Sequence, residues 1–176
     1  DMLAILNNDN RFVLFPFAQQ LGFYHNFERA LLLAPETANF IALADQDDYW
    51  YPHKLTRLLA EFDASTQLAY SDIRLTTPTG ELVADTYWTV RRNNHTKLGP
   101  LLLMNTVPGA SALFRQTLLA DLLPFPLRTG PLFHDQWLSA LALACGSLKF
   151  VEEPLYDYVQ HSANVIGHAE NSRLPW

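Results

Sequence analysis

Basic residues are scarce in this chain. Its 176 residues hold 12 Lys and Arg against 18 Asp and Glu, a net charge of −6, and no basic run exceeds Arg91-Arg92. That balance removes the electrostatic footprint of a nucleic-acid binder and leaves any bound phosphate in want of a cation. Cysteine is limited to Cys145, so no internal disulfide can form, and its Ala, Leu and Gly neighbours mark it as a small buried side chain. No apolar stretch is long enough to span a bilayer and no signal peptide opens the chain, which points to a soluble protein of a reducing compartment. With 49% hydrophobic and 17% charged residues, the composition fits one globular domain over residues 1–176.

What the chain does have is a short apolar run that ends in acids: Phe40-Ile41-Ala42-Leu43-Ala44-Asp45-Gln46-Asp47-Asp48-Tyr49-Trp50-Tyr51-Pro52. The apolar part reads as a strand buried on both faces, of the kind a parallel sheet places at its centre. The acids then fall at its C-terminal end, the edge where open α/β sheets hold ligands. Three like charges crowd a few ångströms of loop, and a hard divalent cation between them would remove that cost. Pro52 suits a helix start, with Leu55, Leu58, Leu59 and Phe62 following at helical spacing.

Upstream, residues 2–6 form an apolar patch suited to a helical turn, residues 11–15 read as a strand, and Phe23, Phe27, Ala30, Leu31 and Ala34 share a helical face. The expected unit is strand, helix, strand with a right-handed crossover. Downstream, residues 67–71 read as a strand with Asp72 at its end, and 73–75 with 81–83 as a hairpin around a turn containing Pro78 and Gly80. Residues 85–96 read as an irregular loop whose Tyr87 and Trp88 either stack on sugar faces or close a core edge. Arg91 and Arg92 are candidates for a diphosphate or for plain solvation. Short helices are expected at 96–103 and 116–123, with a loop entering a strand at 105–115, where Gly109 allows close backbone approach. His134 opens a helix running to about Ala144 with Gly146 as its C-cap, and residues 148–151 and 155–160 read as two strands.

The segment Ala44-Asp45-Gln46-Asp47-Asp48-Tyr49-Trp50-Tyr51-Pro52-His53-Lys54-Leu55 resembles the aspartate motif of a large family of inverting glycosyltransferases with the GT-A fold, most closely its bacterial rhamnosyltransferase-like branch. The likeness continues through Tyr70-Ser71-Asp72, Val107-Pro108-Gly109-Ala110, His134-Asp135-Gln136-Trp137 and His161-Ser162-Ala163-Asn164-Val165-Ile166-Gly167. It implies an α/β domain of three layers, α/β/α, around a mixed, mainly parallel sheet. Members begin with a strand and turn that bind the nucleotide base. Nothing before Arg11 matches that unit, so the resemblance implies an N-terminally truncated domain whose exposed sheet edge is open to pairing with another copy.

The resemblance also implies chemistry. Asp135 matches the catalytic base, although an acid at a helix start equally suits a cap. Asp47 matches a ligand of Mg²⁺ or Mn²⁺, and His161 a histidine that completes the metal site or contacts the diphosphate, against the plainer reading of a surface histidine. Asp45 would orient the ribose or the metal's water shell. Asp48 would touch the sugar or cap the next helix, and Trp50 would belong to the substrate pocket. Asp72 would contact the donor sugar or order the aspartate loop, against a turn-forming or salt-bridging role. Gly109 and Ala110 would line the pocket, and Trp137 would form an acceptor platform or simply pack.

The implied reaction moves a sugar from a nucleotide-diphosphate donor to an oligosaccharide or lipid-linked saccharide with inversion. Its setting would be cell-envelope polysaccharide synthesis in the bacterial cytoplasm, at the inner membrane face if the acceptor is lipid-linked. A non-catalytic domain that keeps the fold and assembles with another chain is the main rival. An aspartyl-nucleophile phosphatase would want Thr or Val where Asp48 stands, and a calcium loop would want Gly where Trp50 or Tyr51 stands.

Overall fold

The computed structural model describes residues 9–88, 93–127 and 133–161. Residues 2–6, Arg91, Arg92, and the end of the last matched motif from Ser162 onward lie outside the described residues.

Helix α1 (Gly22–Leu32) comes first, and Tyr24, Phe27 and Leu31 follow one another on its inner face, as the apolar spacing predicts. Strands β1 (Phe40–Ala42) and β2 (Tyr49–Trp50) bracket the acidic loop. Helix α2 (Lys54–Leu59) leads into the long β3 (Thr66–Thr76), which turns through residues 77–80 into β4 (Leu82–Ala84). Helix α3 (Leu98–Leu103), a single 3₁₀ turn at Gly109–Ser111, β5 (Ala112–Arg115) and a second 3₁₀ turn at Gln116–Leu118 precede the short α4 (Leu119–Leu122). Helix α5 (His134–Cys145) and β6 (Ser147–Val159) complete the described chain.

The strands form one mixed sheet in the order β1, β5, β3, β6, β2, with β4 beside β3. Alternation along the strands divides the interior into two faces. Leu68, Tyr70, Ala112, Phe114 and Leu148 pack with α1, α4 and α5, whereas Ala69, Leu113 and Val151 pack with Leu58 of α2 and with Phe62. Helices therefore cover both faces of the sheet, an α/β arrangement in three layers.

Five expectations are corrected. Cys145, expected to be buried, is exposed at the last position of α5. The sheet is not mainly parallel: among the described strands only β3 and β6 run parallel, and the other pairings are antiparallel. The strand before the acids is not central, because β1 ends the sheet and pairs with β5 alone among the described strands. Its apolar run still has a physical reason: Phe40 and Ala42 face one cluster, Ile41 and Leu43 the other. Burial on two faces needs covering layers, not two neighbouring strands. Residues 11–15 form no strand. The chain there is irregular and pairs with no described strand, with Phe12, Val13, Leu14 and Phe15 exposed, after a turn in which Arg11 clasps Asp9. Finally, Asp72 lies within β3 rather than at its end, since the strand continues to Thr76 against β6.

Two smaller differences are informative. The two late strands are one, β6, with a register shift that places Val151 opposite Ser71 but Pro154 opposite Asp72. Gly146 has φ 175°, ordinary extended backbone, so it is no left-handed cap. A Cβ there would lie 2.4 Å from the Ser65 carbonyl oxygen, so glycine is needed for close approach.

Candidate functional site

The acidic loop is fastened to β6. Tyr49 pairs with Asp157 and Trp50 with Tyr156, and the Tyr51 amide donates to the Leu155 carbonyl (3.1 Å). Beside this pairing Arg74 grips Asp157 with two bonds, Nε to Oδ1 at 2.7 Å and a terminal nitrogen to Oδ2 at 3.0 Å, and the Tyr51 hydroxyl donates to the same carboxylate. That network holds the Asp157 carboxyl below the usual range against the opposing effect of partial burial.

Carried outward, the β2–β6 register sets Asp47 opposite Val159, two residues short of His161. The consequence is a contact across 114 positions of sequence: His161 Nε2 lies 2.8 Å from Asp47 Oδ2. Each side chain is about one-third exposed, at 32% and 33%. The two residues matched to a metal site thus meet at the protein surface. A carboxylate oxygen and an imidazole nitrogen suit Mn²⁺ better than Mg²⁺, and such ions commonly complete their shells with water and substrate phosphates. Among the described residues no group of three or more His, Cys, Asp or Glu gathers into a closed metal site, so any ion here would rely on outside ligands.

Behind Asp47 the loop turns inward. Both Asp48 oxygens are sealed from water without a hydrogen bond of ordinary geometry, although the Val159 amide offers a weaker backbone contact. Burial, then the charges of Asp45 and Asp47, push Asp48 up to about 7. Burial and Asp47 likewise raise Asp45.

The counterweight is Lys54, a residue that sequence reasoning passed over. Its side chain is 0% exposed, its ammonium donates to the Ala110 carbonyl, and it sits 3.7 Å and 4.2 Å from the ring centroids of Trp50 and Tyr156. Burial pulls Lys54 down to about 7, opposed by the charges of Asp48 and Asp45. A signal existed: Lys54, Leu58 and Phe62 recur every four residues, and this stripe faces inward while Leu55 and Leu59 are exposed. Trp50 therefore walls the lysine, and its indole N–H is buried without a hydrogen-bond partner.

Ala110 leads to the third part of the site. Gly109, its neighbour, donates its N–H to Asp135 Oδ2 (3.3 Å) at the start of α5. A Cβ on Gly109 would come 2.8 Å from His134 Nε2 and 3.4 Å from Asp135 Cβ, so only glycine lets the loop lie this close. Asp135 lies deep among protein atoms while keeping some contact with solvent. Burial raises it to about 6, against lowering hydrogen bonds from backbone amides and Asn105. His134 is fixed by stacking on Phe27, with ring centroids 4.0 Å apart, and burial lowers it to about 4.

Asp45, Asp47, Asp48, Trp50, Gly109, Ala110, Asp135 and His161 thus belong to one linked region, joined through Lys54 and the 109–110 loop. Two residues stand apart in role. Asp72 accepts from the Ile73 amide (2.7 Å), the Tyr87 amide (3.0 Å) and the Thr86 hydroxyl (2.5 Å), so its carboxylate pins the loop after β4. Trp137 packs on the first core face and donates to the Leu122 carbonyl (3.0 Å), which gives it a packing role. Tyr87 and Trp88 meet edge to face, and Trp88 meets Phe150, closing a core edge. Comparison with protein-family models and with characterised proteins finds no match for this chain. No helix of the described residues is long and apolar enough to cross a membrane.

Proposed function

We propose that this chain is a GT-A-type transferase domain that moves a sugar, rhamnose by resemblance, from a nucleotide diphosphate to a saccharide hydroxyl with inversion, serving cell-envelope polysaccharide synthesis. The observation that carries the reading is the 2.8 Å contact between Asp47 and His161, two residues far apart in sequence that belong to separate motifs of one resemblance.

In this mechanism Asp135 takes the proton of the acceptor hydroxyl as that oxygen bonds to the anomeric carbon and the bond from carbon to the diphosphate oxygen breaks. A carboxyl raised to about 6 is mostly ionised at neutral pH yet more basic than a free carboxylate, which suits a general base. Gly109 holds that carboxylate through its N–H, and the absence of a side chain lets the loop approach the start of α5 closely enough to do so. Asp47 and His161 would hold Mn²⁺ or Mg²⁺, which when bound supplies positive charge to the departing diphosphate. Asp45, at the exposed rim, would meet the ribose or bound water.

The test is calorimetric titration of dTDP and dTDP-rhamnose with and without Mn²⁺, using the wild type and Asp47→Ala. Mn²⁺-dependent binding in the wild type that disappears in the variant is the expected result. Equal binding by both proteins overturns the assignment of Asp47.

One observation favours the second reading, a domain that keeps the architecture without catalysis and assembles with another chain. The charge of Lys54 acts through space on Asp48 and Asp45, so part of the relief of their repulsion comes from within the chain. The outer edge of β1, unpaired among the described strands, would then be the docking edge for a second copy. Absence of any Mn²⁺-dependent heat in the wild type favours this reading.

A further inference from the structure

We propose that the outer face of β2 and of the turn after it is a platform for a neutral oligosaccharide: the rings of Tyr49, Tyr51 and His53 stack on the sugars, and the Arg74–Asp157 and Arg57–Glu153 pairs meet their hydroxyls. Assigning the occupant to the saccharide acceptor rests on the sugar-transfer reading; the ligand class itself does not.

The strand register brings these groups together. Tyr49 stands opposite Asp157 and Asp157 opposite Arg74, so the three form one row across β2, β6 and β3 on one face of the sheet. Their neighbours Trp50, Tyr156, Ile73 and Leu75 pack together on the other face. Tyr51 returns to the outer face, where its hydroxyl donates to Asp157. Ring centroids then follow at 6.5 Å from Tyr49 to Tyr51 and 6.0 Å from Tyr51 to His53, a spacing on the scale of successive sugar rings. Tyr49 is 64% exposed, and His53 is exposed as well. An exposed ring with a polar tip offers the C–H face of a pyranose an apolar surface.

Polar partners flank the rings. Arg57 Nε donates to Glu153 Oε2 at 3.2 Å, and His53 Nε2 lies 3.3 Å from Glu153 Oε1. Arg74 reaches Asp157 through Nε and one terminal nitrogen, which leaves N–H donors of its guanidinium for hydroxyls. Charge then selects the ligand class. Each guanidinium is matched by a carboxylate, so the face has no surplus positive charge for a phosphate or a nucleic acid. An uncharged ligand rich in hydroxyls suits both the rings and the paired charges. A second copy adding a strand here is disfavoured, because β2 ends the sheet with a ladder of two residues.

The test is a backbone-amide NMR titration of the whole chain with rhamnose, its di- and trisaccharides and maltotriose, without nucleotide or metal. Shifts are expected at residues 49–53, 74 and 153–157, with affinity rising about tenfold or more from mono- to trisaccharide as further rings are engaged. Tyr49→Ala should weaken the trisaccharide about tenfold and Tyr49→Trp should restore it, with signals away from the face unmoved. No shift at these residues with any of the sugars overturns the proposal, as does equal affinity for mono- and trisaccharide or wild-type affinity in Tyr49→Ala. Shifts at the same residues that depend on protein concentration alone make the face a contact between copies and also overturn it. Where Tyr49→Ala does not fold, the wild-type map and its length dependence decide. Sugar binding by protein that shows no Mn²⁺-dependent dTDP binding supports the platform and separates it from transfer.

Discussion

Replacing Asp135 by asparagine sets stability against function at one atom pair. The carboxyl is raised from 3.8 to about 6, chiefly by burial, so the folded protein holds its proton more tightly than the unfolded chain does. A raised acid contributes stability that is fully present below the unfolded value and is lost as pH climbs through the folded one. A shift of this size corresponds to a loss on the order of 2–3 kcal/mol between pH 4 and pH 8. Asparagine is neutral throughout, nearly isosteric, and its carbonyl oxygen can still accept from the Gly109 amide. The variant should therefore match the wild type near pH 4 and exceed it at pH 8 by up to that amount, a Tm difference of about 4–12 °C for a chain of this length. Asp45 and Asp48 are also raised and will shape both pH profiles, but they cancel in the comparison. Thermal melts at the two pH values check the stability half. Dependence of the transfer rate on pH checks the other half, with an expected rate loss of about 10²–10⁴ for removal of a general base. Parallel stability profiles for the two proteins would refute the burial argument, and unchanged turnover would refute the base.

Gly109→Ala should disturb the same carboxylate from the opposite side. The new methyl meets His134 Nε2 at 2.8 Å, and overpacking of this kind costs about 1–3 kcal/mol. A melt should show that loss together with weakened turnover, and a silent substitution would mean the loop is not held against α5. Trp137→Ala should separate packing from acceptor binding. It empties part of the first core face and strands the Leu122 carbonyl, so a loss of about 3 kcal/mol in chemical denaturation is expected while Mn²⁺-dependent dTDP binding is unchanged.

How far the sequence could be read depended on whether the cause was local. The α1 face, the turn before β4, the short α3 and the start of α5 all follow from spacing and turn chemistry within a dozen residues. Strand order did not, because nothing in Phe40-Ile41-Ala42 distinguishes a central strand from an end strand covered on both faces. Residues 11–15 have strand composition without a strand's partner, and pairing is a property of two segments. Asp72 shows the same limit at a single residue. Its partners Thr86 and Tyr87 arrive through the turn after β3, so its loop-pinning role could not be read from the neighbours of Asp72 in sequence.

The acidic loop carries the most instructive case. From sequence, three acids in four positions argued for an external cation as the remedy for their repulsion. The fold supplies part of that remedy itself, because a lysine six residues beyond Asp48 enters at the head of α2 and shares the inward stripe of Leu58 and Phe62. Repulsion alone therefore no longer argues for a metal. What argues for one is the position of Asp47, which is partly exposed and meets a histidine delivered by the far end of β6. The strength of the functional reading thus rests on the β2–β6 register rather than on the number of acids: if that pairing slipped by one residue, Asp47 and His161 would lose their facing geometry and the acids would keep only their internal cation.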